Sequence, residues 1–253
     1  MTTLTSTSIY DGIVEKKNSK AKQFAILIDP DSDEGAGPIA NEAQRANVDL
    51  IFIGGSLLTN GNIESCIEVV KTETDIPVVL FPGNTLQIND KADGILFLSL
   101  ISGRNPELLI GKHVIAAPVL KASGMEVIPT GYMLIDGGSP TAVSYMSNST
   151  PIPSDKADIA VCTALAGEML GLKTIYMDGG SGAMSPISEK MISKVSEQLS
   201  VPLIIGGGIR TPEMACNACR AGADLVVVGS AVENRNGSRS LIQEIAEAIH
   251  SVQ

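Results

Sequence analysis

Eight apolar runs recur along the chain, at residues 24–28, 50–53, 77–81, 95–98, 126–135, 173–177, 202–205 and 225–228. Most are rich in Val and Ile and do not alternate with polar residues, the pattern of strands buried on both faces of a parallel sheet. Helix-periodic segments separate them. Ile63, Cys66, Ile67 and Val70 fall on one face of a helix running from a capping Asn62 to Lys71, and Ile187, Met191, Ile192, Val195 and Leu199 repeat the pattern later. Further helices are expected at 9–19, 38–46, 155–170 and from Thr211-Pro212 to Gly222, and a last one uses Leu241, Ile242, Ile245 and Ile249. Asn105-Pro106 opens a strongly apolar helix carrying Leu108, Leu109, Val114, Ile115 and Val119, which Pro118 is expected to kink or end.

One crossover breaks the rhythm. Only Thr85 to Lys91 separates the third apolar run and its Pro82-Gly83-Asn84 turn from the fourth, too little for loops and a helix together. The sequence therefore predicts an α/β fold, a (β/α)8 TIM barrel lacking its third crossover helix, with one side left open to a long apolar ligand. A doubly wound sheet would give the same alternation but would carry its phosphate turn after the first strand. Here Gly206-Gly207-Gly208 and Gly229-Ser230 follow the last two strands, where barrels recurrently bind phosphate.

A length of 253 residues without a linker fits one domain, 1–253, whose Thr/Ser-rich start, 1–8, is expected to fray. The net charge of −10 and pI near 4.7 disfavour a nucleic-acid partner; the one basic cluster, Lys16, Lys17, Lys20 and Lys22, reads as a solvated helix face. No apolar stretch reaches the roughly 18 residues of a membrane span and the start lacks a signal peptide's apolar core, so a cytoplasmic protein with no transmembrane segment is expected. Cys216 and Cys219 form a CxxC within a helix-like run, which reads as helix packing rather than metal or redox chemistry.

Candidate chemistry gathers at the strand ends. Tyr176-Met177-Asp178-Gly179-Gly180-Ser181-Gly182 puts a phenol, a carboxylate and a flexible loop together, and strand alternation gives Tyr176 and Asp178 one face. Gly207-Gly208 and Gly229-Ser230 suit a phosphate, because backbone N–H groups approach an anion only where no Cβ intervenes. Asp29 and Ser56 end the first two strands; a carboxylate and a hydroxyl are too few for a protein cage but enough for Mg²⁺, which completes its shell with water and substrate oxygens. On spacing alone, Asp29 reads equally well as a turn former before Pro30.

Together, Ile26-Leu27-Ile28-Asp29-Pro30-Asp31, Ile53-Gly54-Gly55-Ser56, Phe81-Pro82-Gly83-Asn84, Pro129-Thr130-Gly131-Tyr132, Tyr145-Met146-Ser147-Asn148, the segment 176–183, Gly206-Gly207-Gly208-Ile209-Arg210 and Gly229-Ser230 resemble the geranylgeranylglyceryl phosphate synthase family, which includes the bacterial PcrB proteins. The resemblance runs in order from about Phe24 to the end. It implies Mg²⁺-dependent transfer of a polyprenyl group, geranylgeranyl favoured, from its diphosphate to the C3 hydroxyl of sn-glycerol 1-phosphate, and a homo-oligomer. It assigns Asp29 and Ser56 to the metal, Tyr176 to Gly182 to the glycerol phosphate, and Gly207, Gly208, Gly229 and Ser230 to its phosphate. Asp178 and Tyr176 become the candidate catalytic pair. The chain departs from the family pattern at Asp178, usually Glu, at Gly179, often Ala, and at Ser32, often Lys.

Two other readings share part of this pattern. A sugar-phosphate isomerase or epimerase barrel would use the Gly-rich turns but leave the open crossover and the Asp29/Ser56 pair unexplained. A ligand-binding barrel with decayed catalysis would explain the change at Asp178.

Overall fold

In the computed structural model, which describes residues 8–233 and 239–252, eight parallel strands close on themselves in chain order: β1 (Gln23–Ile28), β2 (Leu50–Ile53), β3 (Val78–Leu80), β4 (Gly94–Leu100), β5 (Glu126–Leu134), β6 (Thr174–Asp178), β7 (Leu203–Gly206) and β8 (Leu225–Val228). The helices are α1 (Ile9–Asn18), α2 (Ala36–Arg45), α3 (Ile63–Glu73), α4 (Lys112–Ser123), α5 (Ala142–Ser147), α6 (Ala157–Met169), α7 (Glu189–Ser196), α8 (Pro212–Arg220), α9 (Ser230–Glu233) and α10 (Arg239–His250). None of those described is long and apolar enough to cross a membrane.

Strand alternation divides the core in two. Phe24, Ile26, Ile28, Ile51, Ile53, Val226 and Val228 point outward into a layer shared with the helices. Ala25, Leu50, Phe52, Tyr132, Tyr176, Ile204 and Val227 point inward and fill the barrel. The N-terminal end of the barrel is plugged by α1, whose Ile13 joins the inner cluster. This start does not fray as far as Ser8: its hydroxyl caps Asp11 and donates to Glu126 at 2.7 Å, and the same carboxylate accepts the N–H groups of Ile9 and Tyr10. Residues 1–7, the rest of the segment expected to fray, lie outside the described residues.

Three lysines of the basic cluster are ion-paired rather than simply solvated, while Lys20 is exposed. Lys16 pairs with Asp49, and Lys17 and Lys22 pair with Asp224. Each of these aspartates immediately precedes a strand and exchanges hydrogen bonds with the strand before. Asp49 N–H donates to the Phe24 carbonyl while its carboxylate accepts Phe24 N–H at 2.8 Å, and Asp93 with Val78 and Asp224 with Leu203 repeat the exchange.

The crossover from β3 to β4 holds only a 3₁₀ turn, Thr85–Gln87, as expected from its length. Gln87 does much of the absent helix's tethering: it is buried, its amide donates to the Gly55 carbonyl at 2.9 Å, and its oxygen accepts Gly83 N–H at 3.0 Å. The apolar helix after β4 departs from expectation. A π-helical turn, Glu107–Gly111, leads into α4, and Pro118, expected to kink or end the helix, sits inside it without ending it. The carbonyl of Val114, robbed of its N–H partner by the proline ring, belongs to a residue 66% exposed, where water can replace the lost bond. The long connection after β5 also contains an unforeseen helix, α5, started by a Thr141/Ser144 capping box.

Candidate active site

The C-terminal ends of the strands open onto a cavity of about 550 Å³. Its floor is aromatic: the Phe81 ring lies 5.1 Å from that of Tyr176 and 5.9 Å from that of Tyr132, whose rings are 5.6 Å apart. Gly206 makes room for this floor, since a Cβ there would stand 2.3 Å from the Tyr176 hydroxyl.

Asp178, at the end of β6, is 8% exposed and faces the cavity beside Tyr176, as alternation requires. One of its oxygens accepts Gly180 N–H at 2.7 Å, closing an Asx-turn, and the other accepts the Tyr132 hydroxyl at 2.6 Å. Burial pushes the carboxyl above the usual carboxylate range, against the lowering effect of these two donors. The Tyr132 phenol is pushed well above its ordinary value by burial and by the neighbouring Asp178 charge, so it stays a donor.

Gly180, Ser181, Gly182, Gly207, Gly208, Gly229 and Ser230 all line the cavity, and the Ser181 and Ser230 hydroxyls lie 3.2 Å apart. Gly207 and Gly208 have φ of 82° and 74°, and a Cβ on Gly207 would stand 2.6 Å from Asp178 Oδ1, so these positions need glycine twice over. The loops after β6, β7 and β8 thus meet at one patch. Two predicted site residues do not line it: Met177 is fully buried and points outward into the sheet-helix core, and Gly179 donates its N–H to Gly206.

Asp29 and Ser56 line the cavity together, next to the Gly229-Ser230 turn, because β1 pairs with β8. Burial raises the Asp29 carboxyl, although Asp31 N–H donates to it at 3.0 Å. The loops carrying the pair are latched by Asp31, whose carboxylate accepts the N–H groups of Thr59, Asn60 and Gly61 and the Thr59 hydroxyl; these bonds hold its pKa at about 2. Among the described residues no three His, Cys, Asp or Glu cluster as a metal cage.

From the mouth the cavity continues as an apolar groove where the third helix is missing, between α4 and the outer side of β4. Ile88, Ile95, Phe97, Leu108, Ala116 and Leu120 line it. His113, packed edge-on to Phe97 and 3.1 Å from the Ser99 hydroxyl, is pushed below its ordinary value by burial and so suits an apolar wall.

Sequence reasoning assigned no role to Tyr132, Gln87, Asp31, Lys112 or Arg210. Tyr132 lies on the inward face of β5, a position alternation could have flagged. Arg210 lines the cavity with its guanidinium held by the carbonyls of Ala183 and Met184, and Lys112 lines it from the start of α4.

A profile of the PcrB family matches residues 15–249. The chain belongs to the PcrB family. It is 56% identical over 245 residues to the geranylgeranylglyceryl phosphate synthase of Chitinophaga pinensis, covering 96% of each protein. It is 51% identical to the protein of that name from Spirosoma linguale, with 86% of this chain and 88% of that one aligned. Among solved structures, (S)-3-O-geranylgeranylglyceryl phosphate synthase from Thermoplasma acidophilum, crystallised with its substrate sn-glycerol-1-phosphate, superposes with a TM-score of 0.91 at 34% identity over 98% of this chain and 100% of that one. In this PcrB-family barrel, the Gly-rich turns, the Asp178–Tyr132 pair and the apolar groove open into one cavity.

Proposed function

We propose that this protein transfers a polyprenyl group, geranylgeranyl favoured, from its diphosphate to the C3 hydroxyl of sn-glycerol 1-phosphate. The observation that carries this reading is the union in one cavity of a glycine-walled polar patch and a long apolar groove. A sugar-phosphate isomerase needs the first but has no use for the second. The names of the similar proteins point the same way.

The glycerol phosphate would place its phosphate against the backbone of Gly207, Gly208 and Gly229 and the hydroxyls of Ser181 and Ser230, with Arg210 at the rim. Its glycerol hydroxyls would then reach Asp178 and Tyr176. The prenyl chain would lie along the groove, with its allylic carbon over the aromatic floor. The C3 oxygen attacks that carbon, the bond to diphosphate breaks, and the hydroxyl proton passes to Asp178 or through it to water. Tyr132 favours the charged form of Asp178 against the effect of burial, and aims it. No covalent intermediate on the protein is needed.

Asp29 and Ser56 fit Mg²⁺: both are hard oxygen donors facing the cavity, and two protein ligands suffice for an ion that keeps water and phosphate oxygens around it. When bound there, Mg²⁺ would neutralise charge on the diphosphate leaving group. The protein's own part is to hold both donors still, through the Asp31 latch and Gln87. We also infer a homo-oligomer, because Ile110, Val114, Ile115 and Val119 form an exposed apolar stripe along α4 and the turn before it.

The reading is tested by incubating the protein with labelled geranylgeranyl diphosphate and sn-glycerol 1-phosphate with and without Mg²⁺. A labelled, phosphatase-sensitive ether lipid formed only with the metal is expected. Its absence under all conditions would leave the ligand-binding alternative.

A further inference from the structure

Four of the loops around the cavity form a collar that differs in composition from the rest of the chain. Although 18% of all residues are charged, no Asp, Glu, Lys or Arg occurs in 54–63, 81–89, 137–154 or 179–188. These segments follow β2, β3, β5 and β6 at the end of the barrel where the cavity opens, and Ser56, Pro82, Val143 and Ser181 of the four segments line it. On their outer sides stand large apolar side chains. Leu86 is 88% exposed, Tyr145 86%, Met184 67%, Met146 49% and Leu57 48%. Leu86 rides on the 3₁₀ turn that replaces the third helix, and Tyr145 and Met146 on α5.

Apolar tips on an uncharged collar mark a surface that leaves water in use. The absence of charge matters as much as the apolar tips, because an ionised group carried into a low-dielectric phase loses its hydration. A protein seated here would cap the cavity and block its substrates. A bilayer would instead supply one of them. This step rests on the prenyl-transfer reading, since a polyprenyl diphosphate is an amphiphile whose chain partitions into lipid.

We propose that the rim docks on a lipid bilayer, with Leu86, Tyr145 and Met184 at the depth of the headgroup–acyl boundary, so that the prenyl chain passes from lipid into the groove without crossing water. Tyrosine suits that depth, with an apolar ring and a polar tip. The attraction is apolar, not electrostatic: the four segments carry no charge, Arg210 after β7 is held by the carbonyls of Ala183 and Met184, and the whole chain has a net charge of −10. Binding to neutral lipid therefore persists in high salt, and anionic lipid weakens it.

The test is co-flotation of the full chain with phosphatidylcholine vesicles, without substrate, comparing wild type with Leu86→Asp/Tyr145→Asp/Met184→Asp. Wild type should float at low and at high salt, and the variant's bound fraction should fall at least about tenfold. Turnover of a short, water-soluble prenyl diphosphate should stay within about twofold of wild type, while turnover of geranylgeranyl diphosphate carried in vesicles falls. If the triple variant does not fold, Leu86→Asp alone makes the same comparison. A wild type that stays out of the vesicle fraction, or a folded variant that floats equally well, overturns the proposal. So does a variant that converts a dimer to a monomer without lipid, which would give the rim to a second copy. Because flotation is read without substrate, it is separable from the reaction: protein that floats but transfers no prenyl group supports the docking surface and refutes the transfer reading.

Discussion

Asp178 has to serve two purposes with two oxygens. One closes the turn to Gly180 and the other receives the Tyr132 hydroxyl, so the residue both shapes its loop and presents a charge to the cavity. Burial raises its pKa. If the carboxylate is the working form, the rate falls as pH drops through that raised value, so the acid limb of kcat lies above the ordinary Asp pKa of about 3.9. Tyr132→Phe removes a donor that favours the charged form and should move the limb to still higher pH, while lowering kcat at neutral pH by about tenfold or more. A pH–rate profile of both proteins checks this. Asp178→Asn should lower turnover by about 10² to 10⁴, and Asp178→Glu should retain or improve it. The stability effect runs the other way. A carboxyl whose folded pKa is raised contributes most to stability below its unfolded pKa, and that contribution is lost as pH rises through the folded value. Asn should therefore leave Tm at pH 7 unchanged or higher, which thermal melts can read. At Gly207, substitution by Ala forces a side chain into φ of 82° and against Asp178, at about 1–2 kcal/mol of strain. The KM for glycerol 1-phosphate should rise more than that for the prenyl diphosphate, and equal rises would mean general damage to the barrel.

The strand-turn-helix units were legible in the sequence because buried parallel strands are unbroken apolar runs and Asn62, Thr211-Pro212 and the missing third helix each have a local cause. What was not legible depends on partners distant in sequence. The lysine cluster looked solvated because Asp49 and Asp224, which pair with three of its lysines, come 33 and 207 residues after Lys16 and Lys17, respectively. Helix α5 is a single capped turn and a half, too short for periodicity to register. Pro118 does not end α4 because the carbonyl it deprives of a partner belongs to exposed Val114. The aspartates before β2, β4 and β8 give the element scale its own prediction. Asp224→Ala leaves Leu203 N–H and Lys17 without their acceptor at a buried site, costing about 1–3 kcal/mol. That should appear as a fall of roughly 2–4 °C in Tm per kcal/mol for a chain of this size, with KM unaffected because the site is at the other end of the barrel.

At the scale of the whole molecule, the missing helix is what adds an apolar groove to the cavity at the strand ends. It opens the outer side of β4, lets α4 form the far wall of a groove, and leaves Gln87 to tie the loops together. The stripe Ile110, Val114, Ile115 and Val119 faces away from that groove, and Val114→Asp/Ile115→Asp should reduce the mass measured by light scattering if the protein is an oligomer through this face. The sequence motifs named residues that the fold brings to one cavity, the Gly-rich turns and the pair Asp29 and Ser56. They could not show Tyr132 beneath Asp178, Met177 turned into the core, or the groove's wall. The central claim is that the Gly-rich turns and the pair Asp29 and Ser56 serve one transfer. It is tested most directly by measuring geranylgeranyl transfer to sn-glycerol 1-phosphate against sn-glycerol 3-phosphate in wild type and Asp178→Asn. The account predicts product with the 1-phosphate, little with its enantiomer, and near loss in the variant with the fold intact. Equal rates in wild type and Asp178→Asn would contradict it.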